Sequence, residues 1–132
     1  MQNEELPPPI WVARPADLRR MVAELSSEPL LAVDTESNSL YAYQEQVCLI
    51  QISSPTTDYL VDPLAISDLS PLEPLFSNPA TETIFHAAEY DLICLTRDFA
   101  YQFSSLFDTM LAARILGRKS FGLGSLLESE FG

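Results

Sequence analysis

Apolar residues recur along this chain at two different intervals, and the change from one to the other marks out its elements. Leu18, Met21, Val22 and Leu25 follow helical spacing, with Pro15 and Asp17 as start signals and Pro29 beyond the end. Three strand candidates come next: the nearly continuous apolar run over 30–36, then 46–53 (Gln-Val-Cys-Leu-Ile-Gln-Ile-Ser) and 57–62 (Thr-Asp-Tyr-Leu-Val-Asp). Short polar connections between them predict an antiparallel meander. After Asp62-Pro63 a loop rich in Pro, Ser and Leu leads to a short helix near 72–77, and Thr81–Phe85 reads as a fourth strand. A helix over 88–99 follows, then a short extended piece at Leu106-Phe107, a helix over 109–116 closed by Gly117, and a last helix over Leu123–Glu130. Antiparallel strands first and strand–helix alternation afterwards predict an α/β fold, a mixed sheet flanked by helices. No internal repeat is visible. Residues 1–15, with Pro7, Pro8, Pro9 and Pro15, are expected to be an extended lead-in, the proline run serving as a stiff tail or as a ligand for a proline-binding module.

Composition narrows what such a domain does. A length of 132 residues with 47% hydrophobic side chains suits one domain with a real core. Seven Lys and Arg against nineteen Asp and Glu leave a formal charge of -12, which excludes holding nucleic acid by a broad basic surface. A nucleic-acid substrate would need bound metal ions and a local pocket to offset that repulsion; solubility is the other account of the charge. No stretch has the length of a membrane span, and the N-terminus lacks the basic and apolar regions of a signal peptide, so a cytoplasmic protein with no membrane contact is expected. Cys48 and Cys94 lie in apolar segments without Cys-x-x-Cys spacing, as free buried thiols do.

Asp34-Thr35-Glu36 ends the first apolar run, and strand geometry turns Asp34 and Glu36 to the same side. Two readings fit: a polar strand end before a turn, or two hard oxygen ligands for divalent ions, which act on phosphodiesters in pairs about 3.5–4 Å apart. Asp91 offers a third carboxylate. On a helix over 88–99 it falls at the edge of the apolar stripe made by Ala88, Leu92, Leu95 and Phe99, where a charge needs a partner. Arg97, Arg14 or a nearby backbone group would serve, and so would a metal ion. Asp98 lies close to the same face, so wheel position alone does not single out Asp91.

In order and spacing, Val33-Asp34-Thr35-Glu36, Val47-Cys48-Leu49-Ile50-Gln51-Ile52, Leu60-Val61-Asp62-Pro63-Leu64, Phe85-His86-Ala87-Ala88-Glu89-Tyr90-Asp91-Leu92 and Phe107-Asp108-Thr109-Met110-Leu111-Ala112-Ala113 resemble the ribonuclease D branch of the DEDD 3′–5′ exonucleases. The resemblance covers roughly residues 16–132. It implies a ribonuclease H-like fold and two divalent cations, Mg²⁺ or Mn²⁺, held by four carboxylates at the terminal phosphodiester of a single-stranded nucleic acid 3′ end, RNA rather than DNA. By position, Asp34 and Glu36 match the first exonuclease motif and Asp91 the second, as catalytic metal ligands. Thr35 through its backbone, Ser37 and Leu40 follow the first motif and are candidates for lining the terminal-nucleotide pocket, with ordinary turn roles as the alternative. Asn38 shares that place.

His86 matches a family position occupied by His or Asn and is expected to face substrate or to support the ligands, since hard cations prefer oxygen. Gln51 is expected near the site or as a buried hydrogen-bonding residue, and Tyr41, Tyr43 and Tyr90 as packing residues or base-stacking platforms. The family's third motif, Tyr-x-x-x-Asp, has no counterpart here, so the domain over 16–132 is expected to be C-terminally incomplete, truncated before that motif. Asp108 is expected to cap the helix after it instead of supplying the fourth ligand. Two functions follow as expectations. One is a 3′–5′ exoribonuclease of RNA 3′-end and structured-precursor processing such as tRNA, nearly inactive as this chain alone. The other is a degenerate ribonuclease H-like module that binds nucleic acid or a partner without cleaving. Leu123, Leu126, Leu127 and Phe131 on the last helix are expected to be exposed and to favour self-association.

Overall fold

The computed structural model describes residues 6–40 and 43–132. In chain order the elements begin with β1 (Ile10–Val12), α1 (Pro15–Leu25), β2 (Leu30–Ser37), β3 (Val47–Ser53) and β4 (Asp58–Val61). A 3₁₀ turn at Ser70–Leu72 then opens α2 (Glu73–Ser77), followed by β5 (Glu82–Phe85), α3 (Ala88–Phe99), β6 (Leu106–Asp108), α4 (Thr109–Ile115) and α5 (Leu123–Phe131). The strands form one sheet in the order β1-β4-β3-β2-β5-β6. β2, β3 and β4 are antiparallel neighbours, as their short connections predict, while β5, β6 and β1 join in parallel. Parallel neighbours need a crossover, which α2 and α3 supply, so the mixed α/β sheet follows from the order of elements.

β1 is the element that periodicity does not reveal. Ile10, Trp11 and Val12 are too few to show a period, and their partner β4 lies some fifty residues away, at Tyr59, Leu60 and Val61. The segment is extended, and it is also hydrogen-bonded sheet.

Along β2 burial alternates. Leu31 and Val33 are buried, whereas Leu30, Ala32, Asp34 and Glu36 are exposed. The apolar run is therefore one-sided instead of buried on both faces. On the covered face Leu31 and Val33 meet Ile50, Ile52, Tyr59, Val61 and Phe85, and Leu18, Met21 and Leu25 of α1 with Cys94 and Leu95 of α3 close over them. Each such side chain contributes about 1.5–3 kcal/mol by leaving water. Phe76 and Tyr101 extend this core with ring centroids 5.2 Å apart. The opposite face keeps Trp11 and Leu30 open to solvent, and α4 and α5 together bury only Ala113. Gly117, at φ 75°, ends α4 as expected: its N–H bonds the Arg114 carbonyl and that of Arg118 reaches back to Ala113. No helix among the described residues is long and apolar enough to cross a membrane.

Candidate active site

β2 is paired on both sides only at Ala32. With β5 the register runs Leu30 to Glu82, Leu31 to Thr83 and Ala32 to Ile84, and stops there. With β3 it continues, placing Asp34 opposite Gln51 and Glu36 opposite Leu49, before a register shift between Glu36 and Ser37. Past Ala32 a gap thus opens beside β2 on its β5 side, and Asp91 of α3 is bonded to Thr35 in that stretch. Asp34 and Glu36 lie on the exposed face at this point; Thr35 points the other way.

Asp91 is one of three buried polar or charged residues among those described and is 8% exposed. Its carboxylate accepts a hydrogen bond from the Thr35 hydroxyl. No arginine reaches it: Arg97 pairs with Asp98 at 2.6 Å and Glu45 at 3.1 Å, and Arg14 pairs with Asp17. Burial raises the Asp91 pKa above its ordinary value; the Thr35 bond pulls it down, and the charges of Asp34 and Glu36 push it further up. Asp98, which shares the helix face, is already employed. It accepts from the Val47 N–H at 2.7 Å and from Arg97, and it stays below its ordinary pKa, burial opposing and these bonds prevailing. The partners that wheel position cannot supply thus separate the two acids. Asp91 is the one without a cation.

Asp108 caps α4, accepting from the Met110 and Leu111 N–H groups. It also accepts from Ala87 and Ala88 at 3.1 and 2.8 Å, so one carboxylate serves the start of two helices. Burial works against its charge, but four backbone donors, Ala88 foremost, hold its pKa below the usual value. Its oxygens are consumed as a double cap. Ala87 itself is left-handed, at φ 59°, a conformation costly for a residue with a Cβ. The turn it makes presents His86, whose Nδ1 lies 2.8 Å from the Thr109 hydroxyl.

The residues after the first motif form a bonded cluster. Ser37 donates to Glu45 at 2.9 Å and lies 3.4 Å from the Tyr90 hydroxyl, while Glu45 pairs with Arg97. Asn38 exchanges bonds with Gln46 across the base of the loop. Ser37 is thereby bonded into the stem of that loop, and the Thr35 side chain is engaged by Asp91. Leu40 is 87% exposed and Tyr43 fully so; Tyr41 lies outside the described residues. Tyr90 is half-exposed. Both cysteines are free, Cys94 buried and Cys48 only partly so. Tyr101 is a packing residue whose hydroxyl donates to the Leu69 carbonyl.

A cavity of 450 Å³ opens on the exposed face of the sheet, where Asp34, Gln51 and Ser53 meet His86, Thr109 and an apolar floor that includes Ala32 and Ile84. A larger groove of 850 Å³ between α3 and α4 contains none of the three acids, so size does not locate the chemistry. Sequence reasoning missed Thr109, Glu45 and Arg97 as parts of this region. Their partners lie 23, 8 and 52 residues away, and only the pairing of β5 with β6 and of α3 with the loop brings them in.

Three carboxylates without a basic partner, one of them raised in pKa by burial and then by the other two, have the donor chemistry of a site for hard divalent cations. In spacing they stand apart: among the described residues no three of His, Cys, Asp or Glu converge closely enough to hold a metal ion. Mutual repulsion of like charges is sufficient reason for that separation.

Residues 9–132 match a family described as 3′–5′ exonuclease. The chain is 39% identical over 124 residues to the RRP6-like 3 protein of Arabidopsis thaliana, an alignment spanning 93% of this chain and 14% of that protein. With the exosome complex exonuclease RRP6 of Saccharomyces cerevisiae it shares 38% over 122 residues, 92% of this chain and 17% of the relative. Superposed on Escherichia coli RNase D, an exoribonuclease involved in structured RNA processing, it gives a TM-score of 0.88 at 29% identity, covering 96% of this chain and 34% of that one. The six-stranded mixed sheet is thus the ribonuclease H-like sheet of these exonucleases, and the chain spans about one-sixth of the length of these two curated relatives.

Proposed function

Because this chain belongs to the 3′–5′ exonuclease family, we propose that Asp34, Glu36 and Asp91 are the metal-ligating part of a ribonuclease D-type site that removes nucleotides from single-stranded RNA 3′ ends. The observation that carries this reading is Asp91: a buried carboxylate with no cation, raised in pKa by burial and by the two acids of β2. Two divalent cations, Mg²⁺ or Mn²⁺, would supply an activated water and stabilise the leaving 3′ oxygen. The chain's own residues hold and orient. β2 fixes Asp34 and Glu36 on one face, Thr35 sets the rotamer of Asp91, and the Ser37–Glu45–Arg97 cluster ties down the loop that follows.

The expected outcome is metal-dependent release of mononucleotides from the 3′ end of a single-stranded RNA by a protein carrying these residues. Asp34→Asn lowers that rate by about 100-fold or more while the fold, read by circular dichroism, is unchanged. Undiminished release by Asp34→Asn at the same metal concentration overturns the assignment. A second reading, a module that binds RNA ends without cutting, is favoured by one observation: the three acids do not converge and Asp108 is spent on backbone donors. Metal-dependent binding of the RNA with no released nucleotide decides for it.

A further inference from the structure

His86 is the single histidine of the chain, and one side of its ring is pinned. Its Nδ1 lies 2.8 Å from Thr109 Oγ1, and the same oxygen lies 3.2 Å from the Phe85 carbonyl. A threonine hydroxyl has one proton to give, and a carbonyl can only accept. The Thr109 proton therefore goes to Phe85, and the contact with His86 is made by an Nδ1–H that donates to Thr109. A neutral imidazole protonated at Nδ1 carries a bare lone pair at Nε2. Among the described residues no donor meets that nitrogen.

The ring lines the 450 Å³ cavity together with Asp34 and Gln51, over the apolar side chains of Ala32, Ile84 and Leu123. That volume suits a nucleoside. The cavity's neutral acceptor is unlike its carboxylate: a hard cation takes oxygen in preference to imidazole, so Nε2 is left for a hydrogen-bond donor. We propose that Nε2 of His86 accepts the proton of a hydroxyl on the terminal ribose, and that Thr109, by fixing the tautomer, makes the site select a sugar able to donate there. The inference rests on reading the chain as one that binds a nucleic-acid 3′ end. A sugar without that hydroxyl leaves the lone pair facing a C–H group, an unpaired acceptor in a desolvated pocket. Thr109 is a positioning residue in this scheme, and His86 the one that touches the sugar.

A single histidine makes the tautomer directly readable. In a long-range ¹H–¹⁵N correlation spectrum of the labelled chain at a pH of about 8, where imidazoles are neutral, one ring appears, and a proton-bearing Nδ1 with a bare Nε2 is expected. Thr109→Ser keeps that pattern, and Thr109→Val loses it. Titration with uridine 5′-monophosphate and its 2′-deoxy and 3′-deoxy analogues, followed on the same signals, tells which hydroxyl is read. One analogue binds about tenfold more weakly than the parent. In Thr109→Val the difference shrinks to within about twofold, while the weaker analogue's own affinity is unchanged. An Nε2–H tautomer, or equal affinity for all three nucleotides, overturns the proposal. If the tautomer stands and no nucleotide binds, the cavity is not a nucleotide site, and the hydroxyl-selecting role falls with the functional reading rather than with the tautomer.

Discussion

Asp91 works against the fold whenever it is charged. Its raised pKa, from burial first and the neighbouring acids after, means the folded chain holds this proton more tightly than the unfolded chain does. Stability from that group is therefore full below the ordinary Asp range and is lost as pH rises through the raised value. Asp91→Asn keeps a hydrogen-bond partner for Thr35 and does not titrate, so it is expected to raise stability by about 1 kcal/mol at neutral pH. The gain disappears below about pH 4, where the wild-type carboxyl is protonated as well. Urea unfolding at both pH values checks this, and an equal gain at the two would refute the coupling. At this scale the acids were legible: spacing put Asp34 and Glu36 on one side, and helix phase put Asp91 at the apolar border. The side chains that position them were not, because Thr35 to Asp91 spans 56 residues and His86 to Thr109 spans 23, distances at which no local pattern speaks.

Among the elements, the two junctions of α3 carry its strain. Ala87 before it and Ala100 after it are both left-handed, at φ 59° and 56°. Ala100 closes the helix by donating its N–H to the Thr96 carbonyl, a position where glycine avoids the Cβ cost. Ala100→Gly is expected to stabilise by about 1 kcal/mol, raising Tm by about 3–5 °C in thermal unfolding. Asp108→Ala acts in the other direction, removing the acceptor for four backbone N–H groups at the heads of α3 and α4 and costing about 2 kcal/mol. Since the folded-state pKa of Asp108 is lowered, its contribution is present above the ordinary Asp value and fades as pH falls through the lowered one. The variant's deficit should therefore narrow in acid; a deficit independent of pH would contradict that role. Apart from β1, helix and strand positions were readable to within a residue or two, as at 88–99 and in the last helix, read as 123–130 and found over Leu123–Phe131. The capping role of Asp108 toward α4 was readable as well, while its reach to Ala87 and Ala88 required the parallel pairing of Phe85 with Asp108.

For the molecule as a whole, the decisive fact is a sheet covered on one face. The mixed topology was legible from the order of elements, but the one-sidedness was not, because Leu30 and Leu60 read as core residues whether or not anything lies over them. Leu123, Leu127 and Phe131 are about half or more exposed on α5, with Ile115 and Leu116 beside them at the end of α4, while Leu126, also expected to be exposed, is partly covered. We propose that this apolar surface draws copies together while the net charge of -12 holds them apart. Added salt screens the repulsion, so the association constant measured by sedimentation equilibrium should rise with ionic strength, and Leu127→Lys should lower it at every salt concentration. A monomer throughout would dismiss the idea. The gap between β2 and β5 beyond Ala32 has one more effect. It leaves β2 held by β5 over Leu30, Leu31 and Ala32, by β3 from Ala32 onward, and from both sides at Ala32 alone, so Asp34 and Glu36 sit where the strand has one partner. Amide exchange along that singly paired stretch is expected to proceed by local opening of the β2–β3 ladder, so the two acids of β2 belong to the part of the sheet that breathes.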